Sequence, residues 1–355
     1  RDPLYFFNSL LDRADMSLKR TDDWRDRAAA ELMSTVLGRA QIQGDVLVML
    51  EHLPEVAEAV TGAAGRARSW HRLARGGRTA AEWIPRGPFD AATLRLPTSK
   101  DELDMAVHAA ASVLTEGAPL WVYGANDEGA GSAARVIEPV MGSARTVESG
   151  GRCRVLEAIQ PAGAPRVGGT LEDWRLCTPV EFPDGLREWI SYPGLFAHGR
   201  VDEGTQALLE AMRSTSMTGQ HILDFACGSG VVGAFLAALE PSVLVDFLDV
   251  DAVALAAVGK NLPGARRIAS DGFAALEGER YDLIVSNPPY HTGKAQTPEV
   301  VEGLVRGAPE HLEIGGSLVF VTQRRLPMGA LMASNFGRVE VLLDAGLHRV
   351  WYGEK

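Results

Sequence analysis

From His221 onward the chain alternates short apolar runs with helix-length segments and little padding between them, and this rhythm restricts the fold more than any other feature. The runs are His221–Phe225, Val243–Leu248, Asp282–Ser286 and Ser317–Thr322. Each is nearly continuous in apolar residues, as strands covered on both faces are. Between them, Val231–Leu239, Ala252–Asn261 and Pro298–His311 have the length and composition of helices. The pattern predicts an α/β fold built on a parallel sheet with helices on both sides. It closes on Val339–Leu343, a turn at Asp344-Ala-Gly346, and His348–Tyr352. That pair predicts a hairpin, and so an antiparallel edge on the sheet.

The earlier half carries a looser version of the same rhythm. Residues 1–43 are charged and helical in character, with Thr21 or Asp22 as an N-cap ahead of good helix formers. From Gly44 the pattern changes to a strand at Asp45–Leu50, a helix at Pro54–Val60, a strand at Ala92–Leu96, a helix around Lys100–Leu114 and a strand at Pro119–Tyr123. Phe89–Pro97, a helix, and Gly117–Tyr123 parallel Tyr281–Pro289, a helix, and Gly316–Val321. The two halves are therefore expected to share a fold. The Gly- and Pro-rich stretch Pro161–Gly169 reads as the linker. Three segments follow: a helical extension (1–43), a first α/β domain (44–175) and a second (176–355).

The chemistry concentrates in the second. In "LDFACGSG", Leu223 to Gly230, Gly228 and Gly230 let backbone approach a ligand closely, and the helix that follows offers free N–H groups. The next strand ends at Asp249, where a carboxylate can accept from both ribose hydroxyls of a nucleoside. Asp251 reads better as a helix N-cap. Asp271 stands where the third strand should end, to accept from an adenine amino group or to cap a turn. Then comes "SNPPYHTG", Ser286 to Gly293. An exocyclic or amide nitrogen is a poor nucleophile because its lone pair is delocalised. Oxygens that accept from its two N–H groups hold that lone pair toward an electrophile. Asn287 can supply a side-chain oxygen and Pro288 a backbone carbonyl stiffened by the proline rings. Tyr290 can stack on a planar substrate. No strong base is required, since the nitrogen sheds its proton after it has been methylated. Alignment then carries the catalysis.

On these motifs the C-terminal half resembles the class I S-adenosylmethionine-dependent methyltransferases, whose amino-group motif "NPPY" matches. More narrowly, the chain resembles the bacterial small-subunit ribosomal RNA guanine-N2 methyltransferases of the methyltransferase C type. "YPGLFAHGRVDEGTQALL" (Tyr192 to Leu209), "NPPYHTG", "LVRGAPEHLEIGG" and "VYGANDEGAGSA" (Val122 to Ala133) are similar to segments of that family. The resemblance implies two tandem Rossmann-like methyltransferase folds, only the second active, with a mostly parallel seven-stranded sheet edged by a hairpin. It implies S-adenosylmethionine as cofactor and N2 of a guanine in ribosomal RNA as acceptor. By position, Asp224, Ala226, Gly228 and Gly230 would line the methionine end of the cofactor. Asp249 would hold its ribose and Asp271 would lie near its adenine. Asn287, Pro288 and Tyr290 would hold the guanine, with Asn287 also among the cofactor contacts. Ala226 replaces the usual first glycine, and Tyr290 the more frequent phenylalanine. Tyrosine there is also common in enzymes acting on adenine N6 or a protein glutamine, which form the second reading of the acceptor. A third reading is an inactive RNA-binding assembly factor; retention of Gly228, Gly230, Asp249 and Asn287 speaks against it.

The net charge of −11 bears on the RNA partner, since phosphate contacts normally come with a basic excess. RNA contact must come from a local patch. Arg66–Arg72, continuing to Arg75 and Arg78, is the candidate, with Arg68, Arg72 and Arg75 as its contacts; the alternative is a solvated helix and loop. His291 either contacts RNA or caps its loop. The first half lacks a glycine loop after its first strand and has Leu96-Pro-Thr-Ser99 opposite Asn287–Tyr290. It is expected to bind no cofactor and to position substrate. "GANDEGAG", Gly124 to Gly131, lacks the lysine of a phosphate loop. Cys153, Cys177 and Cys227 are odd in number and far apart, which argues against disulfides and zinc and for a reducing cytoplasm. No apolar run reaches the roughly 18 residues of a membrane span. No metal, no membrane and a monomer are the expectation.

Overall fold

The computed structural model describes residues 24–40, 42–163, 168–214, 220–289, 291–292, 295–296 and 299–355. Thr21, Asp22 and Tyr290 lie outside the described residues, as does part of the expected linker. The chain divides into two compact units. One holds the chain up to Ser69, Gly87–Pro97 and Val113–Pro165; the other holds Trp70–Arg86, Thr98–Ser112 and Arg166–Lys355.

In the first unit, α1 (Trp24–Ala40) leads to β1 (Gly44–Met49), α2 (Glu55–Gly62), β2 (Gly65–Trp70) and β3 (Ala91–Arg95). After α3 (Lys100–Val113), which clusters almost wholly with the second unit, come β4 (Pro119–Ala125), α4 (Ala134–Met141), β5 (Ala144–Gly150) and β6 (Cys153–Ile159). The sheet order is β2-β1-β3-β4-β6-β5. The stretch 1–43 contributes to this core through α1: Met33 and Leu37 are fully buried among Val46, Val48, Trp121 and Val155.

The second unit carries the hairpin β7 (Leu176–Phe182) and β8 (Gly185–Ser191), then α5 (Glu203–Arg213), β9 (His221–Phe225), α6 (Val231–Leu239), β10 (Leu244–Asp249), α7 (Ala252–Asn261) and β11 (Arg266–Ala269). It continues with β12 (Tyr281–Ser286), the short pair β13 (His291–Thr292) and β14 (Ala295–Gln296), α8 (Glu299–Gly307), β15 (Leu312–Gln323), α9 (Gly329–Ala333), β16 (Arg338–Ala345) and β17 (His348–Glu354). Seven strands form one sheet in the order β11-β10-β9-β12-β15-β17-β16. β11 to β15 are parallel neighbours throughout, and β17 and β16 add the antiparallel edge. The period of two along a strand sends successive side chains to opposite faces. Leu223, Ile284, Leu318, Phe320 and Trp351 therefore join one buried cluster, and Ile222, Leu283, Val285, Val319 and Val350 another. Two covered faces explain the unbroken apolar runs.

The expected repeat is present in the geometry. Val46 pairs with Ala91 as Ile222 pairs with Leu283. Asp90 accepts a hydrogen bond from Asp45 N as Asp282 does from His221 N, so each carboxylate anchors the start of the neighbouring strand. Leu50 and Ala226, each directly after its strand, have φ of 57° and 55°. The helix N-cap then follows four residues later in both, Pro54 and Gly230. This register places Arg95 opposite Asn287, one residue before the Leu96 expected from the sequence.

The two copies differ at the loop. In the first, Glu51 turns inward, buried, and fills the turn with its own carboxylate. One oxygen accepts from His52 N at 2.6 Å and Leu53 N at 2.8 Å, and the other from the Tyr123 hydroxyl at 2.5 Å. Arg95, also buried, pairs with Asp26 at 2.8 Å and Glu128 at 2.9 Å.

Candidate active site

Four adjacent parallel strands, β11, β10, β9 and β12, deliver the predicted residues at their carboxyl ends. The sequence order reverses between β9 and β12, and ligands of open α/β sheets bind outside the strand ends at such a switch point. The glycine loop leaves β9, Asp249 ends β10, Asp271 follows β11 and Asn287 follows β12.

The loop is shaped by three different glycine requirements. Gly233 has no room for a side chain, because an added Cβ would come within 2.5 Å of Phe247. Gly230 is nearly as tight, 3.1 Å from Val258, and has a left-handed φ of 86°. These two bring α6 close to β10. Gly228 differs: its φ is 54° and a Cβ there would meet nothing within 4 Å. Backbone is thus open to a ligand at Gly228. Ser229 fixes the loop from outside, accepting from Trp189 Nε1 at its hydroxyl and from Asn261 Nδ2 at its carbonyl.

Ala226 keeps the left-handed conformation without being glycine. That conformation costs an L-residue about 1–2 kcal/mol, and the greater freedom of unfolded glycine takes back about 0.4–1 kcal/mol. Ala226→Gly should therefore stabilise the protein by about 0.5–1 kcal/mol. Urea unfolding checks this, and a loss of stability would mean that packing of the Ala226 methyl outweighs the strain.

Two buried carboxylates flank the loop. Asp224 accepts from Gly233 N at 2.8 Å, and burial raises its pKa to about 7. Asp249 accepts from Gly228 N at 2.8 Å and Asp251 N at 2.9 Å, and burial raises it to about 6. Asp251 caps α7 by accepting from Val253 N, as expected. Cys227 is buried between these acids, and desolvation pushes its thiol well up, so it is no nucleophile.

Asn287 is oriented by residues that sequence reasoning did not assign. Its amide nitrogen donates to Thr205 Oγ1 at 2.9 Å and Asp202 Oδ1 at 3.2 Å. An ionised carboxylate can only accept, so the NH2 end faces α5 and the carbonyl oxygen remains as the acceptor end. Asp202 in turn caps α5 through Gly204 N and Thr205 N. The capping pattern Asp-Glu-Gly-Thr was visible in the sequence; its use in aiming a side chain 85 residues away was not. Pro288 is buried, and Asp271 is exposed. Tyr290 and the His291 side chain lie outside the described residues.

The arginine run does not form the expected patch. Arg66 and Arg68 lie exposed on β2, Arg68 with its guanidinium 4.9 Å from the centre of the Phe89 ring. Arg72 is buried, bound to Asp251, Glu102 and the Pro193 carbonyl. It cannot meet phosphate, because its donors are consumed inside the protein. Arg75 is half-buried in the loop beyond. Among the described residues no group of three His, Cys, Asp or Glu side chains could hold a metal, and no helix is long and apolar enough to cross a membrane.

Comparison with known proteins identifies the family. Residues 187–351 match the family described as methyltransferase small domain, and residues 32–174 its N-terminal domain. The ribosomal RNA small subunit methyltransferase C of Ectopseudomonas mendocina is 36% identical over 272 residues, 76% of this chain and 80% of that protein. Its counterpart in Hahella chejuensis is 28% identical over 331 residues, 88% and 95% of the two chains. A T. thermophilus 16S rRNA N2 methyltransferase, solved in complex with AdoMet and guanosine, superposes with a TM-score of 0.80 at 23% identity, covering 95% of this chain and 93% of that one. With two methyltransferase-like folds in tandem and these matches over most of its length, the chain belongs to the ribosomal RNA small subunit methyltransferase C family.

Proposed function

We propose that the second unit binds S-adenosylmethionine at the β9–β10 strand ends and transfers its methyl group to N2 of a guanine in small-subunit ribosomal RNA. The observation that carries this reading is Asn287, tethered by its nitrogen so that its oxygen is presented at the switch point. The cofactor supplies an electrophilic sulfonium methyl. The site suits it: Gly228 is open to close approach, and two acids stand where ribose hydroxyls and an ammonium group need acceptors. Asn287 Oδ1 and the Pro288 carbonyl accept from the guanine amino group and aim its lone pair, and Tyr290 stacks on the base. The relative solved with AdoMet and guanosine supports the same pairing of ligands. The first unit, with Glu51 filling its loop, binds no cofactor and serves substrate positioning, with the exposed Arg68 as an RNA contact; Arg75, in the second unit, is a further candidate contact. The reading is of a monomer acting in the cytoplasm on ribosomal RNA. Radioactive methyl donor supplied with small subunits, naked RNA and release factors tests this. Label is expected in N2-methylguanine of small-subunit RNA; label in N6-methyladenine or methylglutamine would overturn the acceptor.

A pH dependence follows from the two acids. Folding raises both pKa values above an unfolded value of about 3.9. Their contribution to the stability of the free protein is therefore complete below about pH 4 and lost as pH rises through about 6 and about 7. Ligand binding has the opposite sign, because ribose hydroxyls and an ammonium group favour the ionised acids. S-Adenosylmethionine affinity should rise from pH 5.5 to 7.5 with release of protons. Calorimetry in buffers of different ionisation enthalpy reads that release; no proton release at pH 6 would show that the acids are not the contacts.

A further inference from the structure

The buried Arg72 lies far in sequence from the cofactor loop, yet it belongs to the same compact unit. Its Nε is 3.1 Å from both oxygens of Asp251 and its Nη2 is 2.5 Å from Oδ2. Nη1 donates to Glu102 at 2.6 Å and to the Pro193 carbonyl at 3.1 Å. The backbone adds to the grip. Ala252 N donates to Arg72 O, Ala74 N donates to Val250 O, and Leu73 bridges Asp251. The segment after β2 thus lies along the turn Val250-Asp251-Ala252, immediately after Asp249. Gly194, at φ 84°, owes its lack of a side chain to the same centre: a Cβ there would sit 2.3 Å from Arg72 Nη1 and 2.7 Å from Glu102.

Asp251 is the link to the ligand. Its backbone N–H donates to Asp249 Oδ1, while Asp249 Oδ2 accepts from Gly228 N. The rotamer of Asp249 is therefore set on one side by the glycine loop and on the other by the turn that Arg72 clamps. A bidentate guanidinium–carboxylate pair fixes both distance and orientation, and burial keeps water from competing for it. We propose that Arg72 is a positioning residue for the cofactor site: it holds the Asp251 turn so that Asp249 presents both oxygens to the ribose. Residues Trp70–Ala74, from the N-terminal half of the sequence, thereby tune cofactor affinity without touching the cofactor.

This rests on Asp249 being the ribose acid, so Asp249→Ala is measured alongside. In the full chain, Arg72→Met is expected to raise the Kd for S-adenosylmethionine at least tenfold. The KM for the cofactor should rise with it, while kcat at saturation falls far less. Amide exchange at Gly228 and Asp251 should quicken in the ligand-free variant, with Ile284 in the sheet core unchanged. Asp251→Asn keeps an acceptor for the α7 cap but loses the charged pair, and is expected to raise Kd about fivefold or more. Combined with Arg72→Met it should add little, since both act through one contact. If Arg72→Met does not fold, Asp251→Asn decides alone. Kd within twofold of the parent in the folded variants, with Asp249→Ala weakened, would overturn the positioning role. Asp249→Ala with full affinity would instead remove the ribose assignment beneath it.

Discussion

Asn287→Ala is expected to lower methyl transfer by about 10²–10³-fold, the scale for removing one preorganised polar group from a reacting centre, while leaving S-adenosylmethionine affinity within about twofold. The asymmetry follows from where the side chain is held. Its nitrogen is spent on Asp202 and Thr205, so the oxygen is what the acceptor amine loses. Asp202→Ala and Thr205→Val should lower turnover in the same direction by less, because each leaves one tether and the Asn287 oxygen in place. Asn287→Asp should be no rescue: a carboxylate would face the Asp202 carboxylate instead of donating to it. Single-turnover kinetics with saturating cofactor separates these effects from binding. Full turnover by Asn287→Ala would end the amino-methylation mechanism.

The second large effect concerns Asp249. Asp249→Ala should weaken S-adenosylmethionine binding by about 1.5–3 kcal/mol, the range for hydrogen bonds to a charged group, or roughly tenfold to a hundredfold in Kd. Titration calorimetry of the parent should give one site per chain. The first unit is expected to contribute none, since His52 N and Leu53 N at its loop already donate to Glu51. A second site surviving in Asp249→Ala would show that the first unit binds cofactor after all.

The primary structure alone was enough for the sheet of the second unit. Strands buried on both faces must be apolar throughout, so β9, β10, β12 and β15 announced themselves, and the termini of α6 and α7 matched their expected bounds. Even the halves' kinship was legible, because Phe89–Pro97 and Tyr281–Pro289 fill the same strand in the same register. Strands covered on one side, or paired only with each other, were silent: β2, the β5–β6 hairpin and the β7–β8 hairpin mix polar with apolar residues and borrow their order from neighbours. The motif acids and glycines could be read because each acts through its own strand end, a local matter. What the tertiary structure decided is everything that depends on a distant partner. Arg72 read as one more cation in a basic run, yet Asp251, Glu102 and Pro193 surround it and withdraw it from solvent. Nothing in the sequence singled out Glu51, on which Tyr123 and two amides close. Charge and hydropathy are properties of a residue, whereas burial and hydrogen-bond partners belong to the folded chain, and those set the role of each side chain.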